Sequence, residues 1–417
     1  MSTSFSTALS ALSAYSTAIA VVGNNLANLN TIGFKNSNVS FFDLVTQSLG
    51  AGLGETQVGF GVGTPITLGQ FTQGAIQTTG GTTDAAIQGD GFFIVQSGSG
   101  ATEYTRAGNF QVNQGGNLTT ATGEEVQGWT ISGGVLNTNA PVGNISIPTG
   151  TVLAPIPSTN FSFDINLNAA ATAGSANGSY STSVTVYDSL GNSHVVTASF
   201  TESATAGQWN YSIRVPDADV ANPPATPLTG TLTFDSNGSL TSPASTDPAP
   251  QLQVQGLADG ASDMTLTWNL FNGTTPRITQ YAQPSSVSAV TQNGQPAAQL
   301  NNVAISNGGV ILAQFTNGQQ TVVGQIAMAN IRNPDSLISV GDNNYELSAA
   351  SALPAVGVPG TGGRGAVQGG SLEASTVDIA TEFTSLIIYQ RGYEANSKVV
   401  NTADQLSQTT INLIPNA

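Results

Sequence analysis

Residues 375–413 read STVDIATEFTSLIIYQRGYEANSKVVNTADQLSQTTINL, and the order of the whole chain turns on them. Ser375-Thr376-Val377-Asp378 has the form of a capping box, a hydroxyl followed three residues later by a carboxylate, just before an apolar periodic run. Apolar or small side chains recur at Val377, Ala380, Thr384, Ile388, Ala395, Val399, Ala403, Leu406, Thr410 and Leu413. Most steps are three or four residues, which draws one stripe along a long helix. Proline is absent until Pro415. A helix of this length predicts coiled-coil packing against a partner.

The partner is predicted at the other end of the chain. Phe5, Ala8, Leu12, Tyr15, Ile19, Val22, Leu26 and Leu29 alternate steps of three and four, a heptad seam. No Asp, Glu, Lys or Arg occurs from Met1 to Phe34. Gly33 stands as the C′ glycine of this helix, and Lys35 places a cation beyond the negative end of its dipole. The apolar seam does not by itself offset the entropy of ordering so many residues. Both ends therefore need partners, each other and neighbouring copies of the chain.

Between the helices the period changes. Residues 35–70 read as an irregular, glycine-rich connector that must dock somewhere, because free linkers do not carry Phe41, Phe42 and Phe60 exposed. Residues 71–150 and 284–370 carry short strands and Asn-Gly turns, Asn307-Gly308 and Asn317-Gly318 among them, and form one discontinuous β domain. Residues 151–283, bounded by prolines, alternate strictly: Tyr180, Thr182, Val184 and Val186; Val196, Ala198 and Phe200; Trp209, Tyr211, Ile213 and Val215; Met264, Leu266, Trp268 and Leu270. They predict an inserted β-sandwich or barrel. The fold class is α+β, mostly β: residues 1–34 and 371–417 form a paired helical domain, and the whole is expected to be layered and elongated.

Composition removes several functions. Only 8% of 417 residues are charged, against roughly 25% in ordinary soluble proteins. Eight basic residues under a net charge of −16 cannot build the patch that nucleic acid or an anionic membrane requires. Cysteine is absent, so there is no disulfide framework and no thiol nucleophile. The N-terminus lacks the charged start of a secretory signal, and no segment is expected to reach the 18 or so apolar residues of a membrane span. The single histidine, His194, lies at a turn-to-strand junction, where a hydrogen-bonding role is expected and a triad or a His-ligated metal site is disfavoured. Asp217 and Asp219 have calcium-loop spacing without the rest of an EF-hand. No enzyme, cofactor or metal is expected.

Three motifs carry a family resemblance. Residues 23–35, GNNLANLNTIGFK, closely resemble the N-terminal motif of the bacterial flagellar axial proteins, which form rod, hook and hook–filament junction. Ser371-Leu372-Glu373-Ala374-Ser375-Thr376-Val377-Asp378, with Gln390-Arg391 and Tyr393-Glu394-Ala395-Asn396, resembles their C-terminal motif. Asp84 to Ile87, Gly89 to Phe93 and Tyr104 to Phe110 resemble their shared β block. Val184 to His194 resembles a segment of the large insertion carried by hook-forming members; the distal rod is the alternative within the family, and a secreted adhesin or surface-layer protein the alternative outside it.

The resemblance implies a structural subunit that assembles with its own copies into a curved, flexible helical tube. Such a tube acts as a universal joint passing torque from rod to filament and encloses an export channel. It also implies contact with distal rod, hook-cap and hook–filament junction proteins, and delivery outside the cell by the flagellar type III export apparatus without a cleavable signal. Nucleic acid and membrane are not among the implied partners. The assembly residues it marks are Asn24, Asn25, Leu26, Ala27, Asn28, Gly33, Phe34 and Lys35 in the first motif, and Leu372, Glu373, Ser375, Val377, Asp378, Ile388, Gln390, Arg391, Tyr393, Asn396 and Leu406 in the last. Asn24, Asn25 and Asn28 either bond between subunits or cap the helix locally. Gly33 reads as a backbone requirement, and Arg391 as a polar contact between subunits.

Overall fold

A computed structural model describes residues 2–44, 46–49, 56–132, 135–150 and 152–412. The chain is mostly β, with two long helices, α1 (Ser2–Ala27) and α2 (Ile379–Asn412). It divides into two compact units: residues 1–149, 302–314 and 320–417, and residues 150–301 with 315–319.

In the first unit α1 packs against α2. The buried face of α1 shares only Ala8 and Val22 with the predicted heptad seam. It is made by Ala8, Ala11, Ala14, Ala18, Val22 and Asn25, while Leu12, Tyr15, Ile19 and Leu26 flank it half-buried and Phe5 is exposed. Alanines let two backbones approach closely, so the larger side chains straddle the contact instead of filling it. Most of the stripe expected on α2 is turned the other way: Ala380, Thr384, Ile388, Ala395, Val399, Leu406 and Thr410 are exposed, while Ala403 is half-buried and Val377, ahead of the helix, is buried. The side facing inward carries Glu382, Leu386, Tyr389, Gly392 and Asn396. Leu413 lies outside the described residues.

Helix ends also differ from expectation. α1 stops at Ala27, and turns at residues 28–33 lead into the next strand. α2 starts at Ile379 because Asp378 is itself the N-cap, its Oδ1 accepting the Thr381 N–H at 2.7 Å. By length and a mean hydropathy of 1.5, Phe5–Ala27 does reach what a membrane span needs, contrary to expectation. Its alanine face is nonetheless covered by protein.

The connector is regular rather than irregular. Ser37–Ser40 pairs antiparallel with Ile66–Gly69, and Thr46–Leu49 with Thr56–Gly59. Its apolar side chains dock only in part: Phe41 reaches the helices, but Phe42, Leu44, Phe60, Ile66 and Leu68 remain exposed. Further on, an antiparallel sheet runs through Gln320–Ile326, Glu125–Ser132, Phe92–Gln96, Thr102–Thr105, Asn344–Glu346 and Ile338–Gly341. Phe92, Ile94, Tyr104, Trp129 and Tyr345 build its core. Two short pairings return the chain to the C-terminal helix: Ala366–Gly369 with Ala85–Gln88, and Ser371–Glu373 with Ile76–Thr78.

The second unit holds two five-stranded sheets around one core containing Phe161, Phe163, Phe200, Trp209, Leu266 and Trp268. Of the alternating residues named above, those from Val184 to Leu270 are buried, while Tyr180 and Thr182 at the start of the first strand are half-buried. One sheet is an antiparallel meander from Ser179 to Ser242. In the other, Asn160–Asn168 pairs parallel with Met264–Trp268 and Ile278–Tyr281. The unit runs past the expected limit at 283, because Ser286–Gln292 pairs antiparallel with Asn160–Asn168. Pro284 breaks a loop between two strands of the same sheet and is not a domain joint.

Candidate assembly site

The residues marked by the terminal motifs converge in the first unit, where they first serve to lock the chain's two ends together. Asn25, 1% exposed, donates from Nδ2 to the Ser37 carbonyl and to Glu382 Oε1, both at 2.9 Å, and its Oδ1 accepts the Ser37 N–H at 3.0 Å. One side chain thus joins α1, the connector and α2. Burial pushes the Glu382 carboxyl above its ordinary range, against the pull of its asparagine donors.

A few residues on, Lys35 is not a cap for the helix dipole but a buried ion. Its Nζ lies 2.7 Å from Glu373 Oε1 and donates to the Thr72 carbonyl at 2.6 Å. Arg106 Nη1 approaches Glu373 Oε2 at 3.2 Å, and the Gly74 N–H donates to Oε1 at 2.7 Å. Arg106 also donates to the Gly89 carbonyl and stacks its guanidinium over Phe92. Burial pulls the Lys35 ammonium below its usual range while Glu373 pushes it back. Beside this cluster Gly33 adopts φ +68°, and an added Cβ would stand 2.6 Å from the Arg106 carbonyl carbon. Its N–H donates to the Glu373 carbonyl at 2.8 Å.

Within the chain Asn28 Nδ2 donates to the Asn24 carbonyl at 2.9 Å, and Thr31 donates to Asn28 Oδ1. Phe34 and Leu26 are half-buried and Ala27 is exposed. In the last motif Val377 is buried, Leu372 half-buried, and Ser375 Oγ accepts the Val377 N–H at 3.3 Å. The helices cross at Gly392, where a Cβ would come within 2.5 Å of the Tyr15 ring. Tyr15, Phe41 and Tyr389 meet there with centroids 5.6 to 6.3 Å apart. Asn396 Nδ2 donates to the Gly392 carbonyl. Ile388, Gln390, Arg391, Tyr393 and Leu406 face outward, Ile388 and Leu406 more than half exposed. Arg391 has no polar partner among the described residues.

Four family descriptions match successive parts of the chain. They are "Flagella basal body rod protein" over 5–35, "Flagellar hook protein FlgE/F/G D1 domain" over 86–168, "Flagellar basal body protein FlaE D2 domain" over 158–295 and "Flagellar basal body rod FlgEFG protein C-terminal" over 368–413. The flagellar hook protein FlgE of Escherichia coli (strain K12) is 33% identical over 420 residues, covering 98% of this chain and 99% of that one. The chain belongs to the flagellar hook protein family. The hook protein of Borreliella burgdorferi is also 33% identical, over 97% of this chain and 98% of its own. Among solved structures, Helicobacter pylori flagellar hook protein FlgE2 overlays with a TM-score of 0.48 at 16% identity, covering 70% of this chain and 99% of that one.

In this hook-family chain two residues central to the lock escape a motif reading. Arg106 sits in a β-block motif far from either end, and only the fold brings it to Glu373. Gly392 could have been found, because a glycine inside a long helix costs about 1 kcal/mol relative to alanine and asks for a packing reason.

Proposed function

We propose that this chain is the repeating subunit of a flagellar hook, assembling with its own copies into a curved tube that bends while passing torque from rod to filament. The observation that carries this reading is the outer face of α2. Ile379, Phe383, Ile387, Ile388, Tyr393, Val399 and Leu406 stand exposed on a helix whose other face is already satisfied by α1, and Phe5 and Leu9 are exposed beside them. Covering what remains open of seven such side chains gains on the order of 5–10 kcal/mol per contact. Exposed apolar surface of that size, spread around the open side of one helix, suits a wall of like helices. Many weak contacts from the Ser-, Thr- and Asn-rich β surface suit neighbours that slide as the tube bends.

On the same reading the tube encloses the export channel. Its ends meet distal rod, hook-cap and hook–filament junction proteins, and each subunit leaves the cell through the flagellar type III apparatus without a cleavable signal. The test is electron microscopy of the purified chain at high concentration beside a chain lacking residues 1–30. The full chain is expected to form curved tubes, and the truncated chain to stay folded in its β units without polymerising. Tubes from the truncated chain would refute the assignment of assembly to the helices.

A further inference from the structure

Away from the terminal lock, the second unit gathers its one imidazole and three carboxylates. His194 opens the strand Ser193–Glu202 and is buried, as is Asp188 at the head of the preceding turn. Asp188 is held rigidly: its Oδ1 accepts the N–H groups of Leu190 and Asn192 at 2.8 and 2.9 Å, which leaves Oδ2 aimed at His194. His194 Nδ1 lies 3.0 Å from Asp219 Oδ2, on the short turn Asp217–Asp219. His194 Nε2 lies 3.2 Å from Asp188 Oδ2 and 3.5 Å from Asp259 Oδ2. Asn192 Nδ2 donates to that same Asp259 oxygen at 3.0 Å.

Both nitrogens lie within hydrogen-bond distance of a carboxylate, Nδ1 of Asp219 and Nε2 of Asp188, and in the tautomer that donates from Nδ1 to Asp219 the lone pair stands on Nε2. That lone pair then faces the Oδ2 atoms of Asp188 and Asp259, which share one donor, Asn192 Nδ2, at 3.4 and 3.0 Å. The 3.5 Å separation to Asp259 is too long for a strong hydrogen bond. It is the right length for something else. With metal–ligand distances of about 2.0 to 2.2 Å, the edge of a tetrahedron of nitrogen and oxygen ligands is about 3.3 to 3.6 Å. The ligand atoms of Asp188, His194 and Asp259 all lie within 4.8 Å of one another.

We propose that His194 Nε2, Asp188 Oδ2 and Asp259 Oδ2 form a binding site for a divalent transition-metal ion of the zinc class. Imidazole with two carboxylates suits zinc, nickel or cobalt better than calcium or magnesium, which take oxygen ligands alone. Asp219 is the positioning residue behind the histidine, and the Leu190 and Asn192 amides play that part behind Asp188. Asp188 and His194 are closed off from solvent, but Asp259 keeps 27% of its side chain exposed. The ion enters on that side and keeps a solvent ligand there. Bound, it ties together the turn 188–192, the first residue pair of a central strand and the loop at 259, and so stiffens this unit alone.

The experiment uses the full chain stripped with EDTA and titrated with zinc chloride at neutral pH by calorimetry, with cobalt(II) as a visible-absorption probe. One zinc per chain is expected, with a rise in the melting temperature of the second unit that EDTA reverses, and cobalt bands between about 500 and 650 nm typical of tetrahedral coordination. Asp259→Asn, at the open edge, should keep the fold and lose at least tenfold in zinc affinity. Asp219→Asn should lose about 10- to 100-fold with every ligand in place. His194→Gln should abolish the cobalt bands, and near-ultraviolet dichroism from Trp209 and Trp268 separates that loss from misfolding. The proposal is overturned if the parent chain shows neither heat nor a zinc-dependent melting shift, as expected for a protonated imidazole held by carboxylates alone. It is equally overturned if Asp259→Asn and His194→Gln bind zinc as the parent does.

Discussion

Lys35 Nζ and Glu373 Oε1 lie 2.7 Å apart although 338 residues separate them in the chain, and both side chains are closed to solvent. Arg106 completes the cluster from the β block, so one carboxylate serves two buried cations. Removing Glu373 strands both. Glu373→Ala is expected to cost about 3–5 kcal/mol in the first unit, the range for a buried ion left without its partner. Lys35→Met should cost clearly less, since Arg106 still matches Glu373. Calorimetric melting of the two variants checks the order, and equal losses would contradict it.

Gly392→Ala sets two effects against each other. Alanine favours a helix by about 1 kcal/mol over glycine, but its Cβ would stand 2.5 Å from the Tyr15 ring. The contact is with a ring held by Phe41 and Tyr389, so the steric term should win and the helix pair should loosen. Amide hydrogen exchange across α1 is expected to speed up. Pairing the change with Tyr15→Ala should restore part of the protection, whereas a variant as protected as the parent would show that the ring moves aside freely.

Acid should favour the helix lock through Glu382. Burial raises this carboxyl above its ordinary value, so the folded unit holds the proton more tightly than the unfolded chain does. The stability gained by protonation is complete below the unfolded value and fades as pH rises through the raised one. The parent should therefore gain stability relative to Glu382→Gln as pH falls from neutral through the carboxylate range. Parallel melting curves of the two proteins over that range would exclude the linkage.

The outward stripe can be separated from the fold. Phe383→Ser and Ile388→Asn alter side chains that are already more than half exposed, so the melting temperature of the isolated chain should move by no more than surface substitutions usually cause, within about 0.5 kcal/mol. Polymerisation should be lost or pushed to much higher protein concentration, as read by sedimentation. A large loss of monomer stability would mean the stripe packs within the chain instead.

Sequence revealed some parts of this molecule more readily than others, and the reasons are geometric. In the second unit the period of two passes directly into burial: Val196, Ala198 and Phe200 all point inward because a strand allows only two faces. Helices offer a choice of stripes, and size is a poor guide to which one pairs. Ala14 and Ala18 were the contact, while Ile388 and Leu406, the better hydrophobes, were left for outside. The Asn25 lock was marked by its motif, but its partner Glu382 was not, since nothing local ties two residues 357 apart. The end of the inserted unit was obscured by Pro284. Excision of residues 151–283 would leave Ser286–Gln292 without the strand it pairs with, its backbone edge unpaired, so it should aggregate where excision of the whole compact unit does not. Solubility of the two deletions measures the difference.

The position of Glu373 near the end of the chain also sets a clock. A chain still emerging, from a ribosome or through a narrow conduit, already carries Lys35 and Arg106 but has nothing to neutralise them. Its first unit stays open until the last 45 residues arrive. Closure of the first unit therefore waits for Glu373, and it coincides with the arrival of α2, which follows directly. The proposed contact surface and the carboxylate that completes the fold come from the same short stretch, so a truncated chain lacking it is expected to lose both at once.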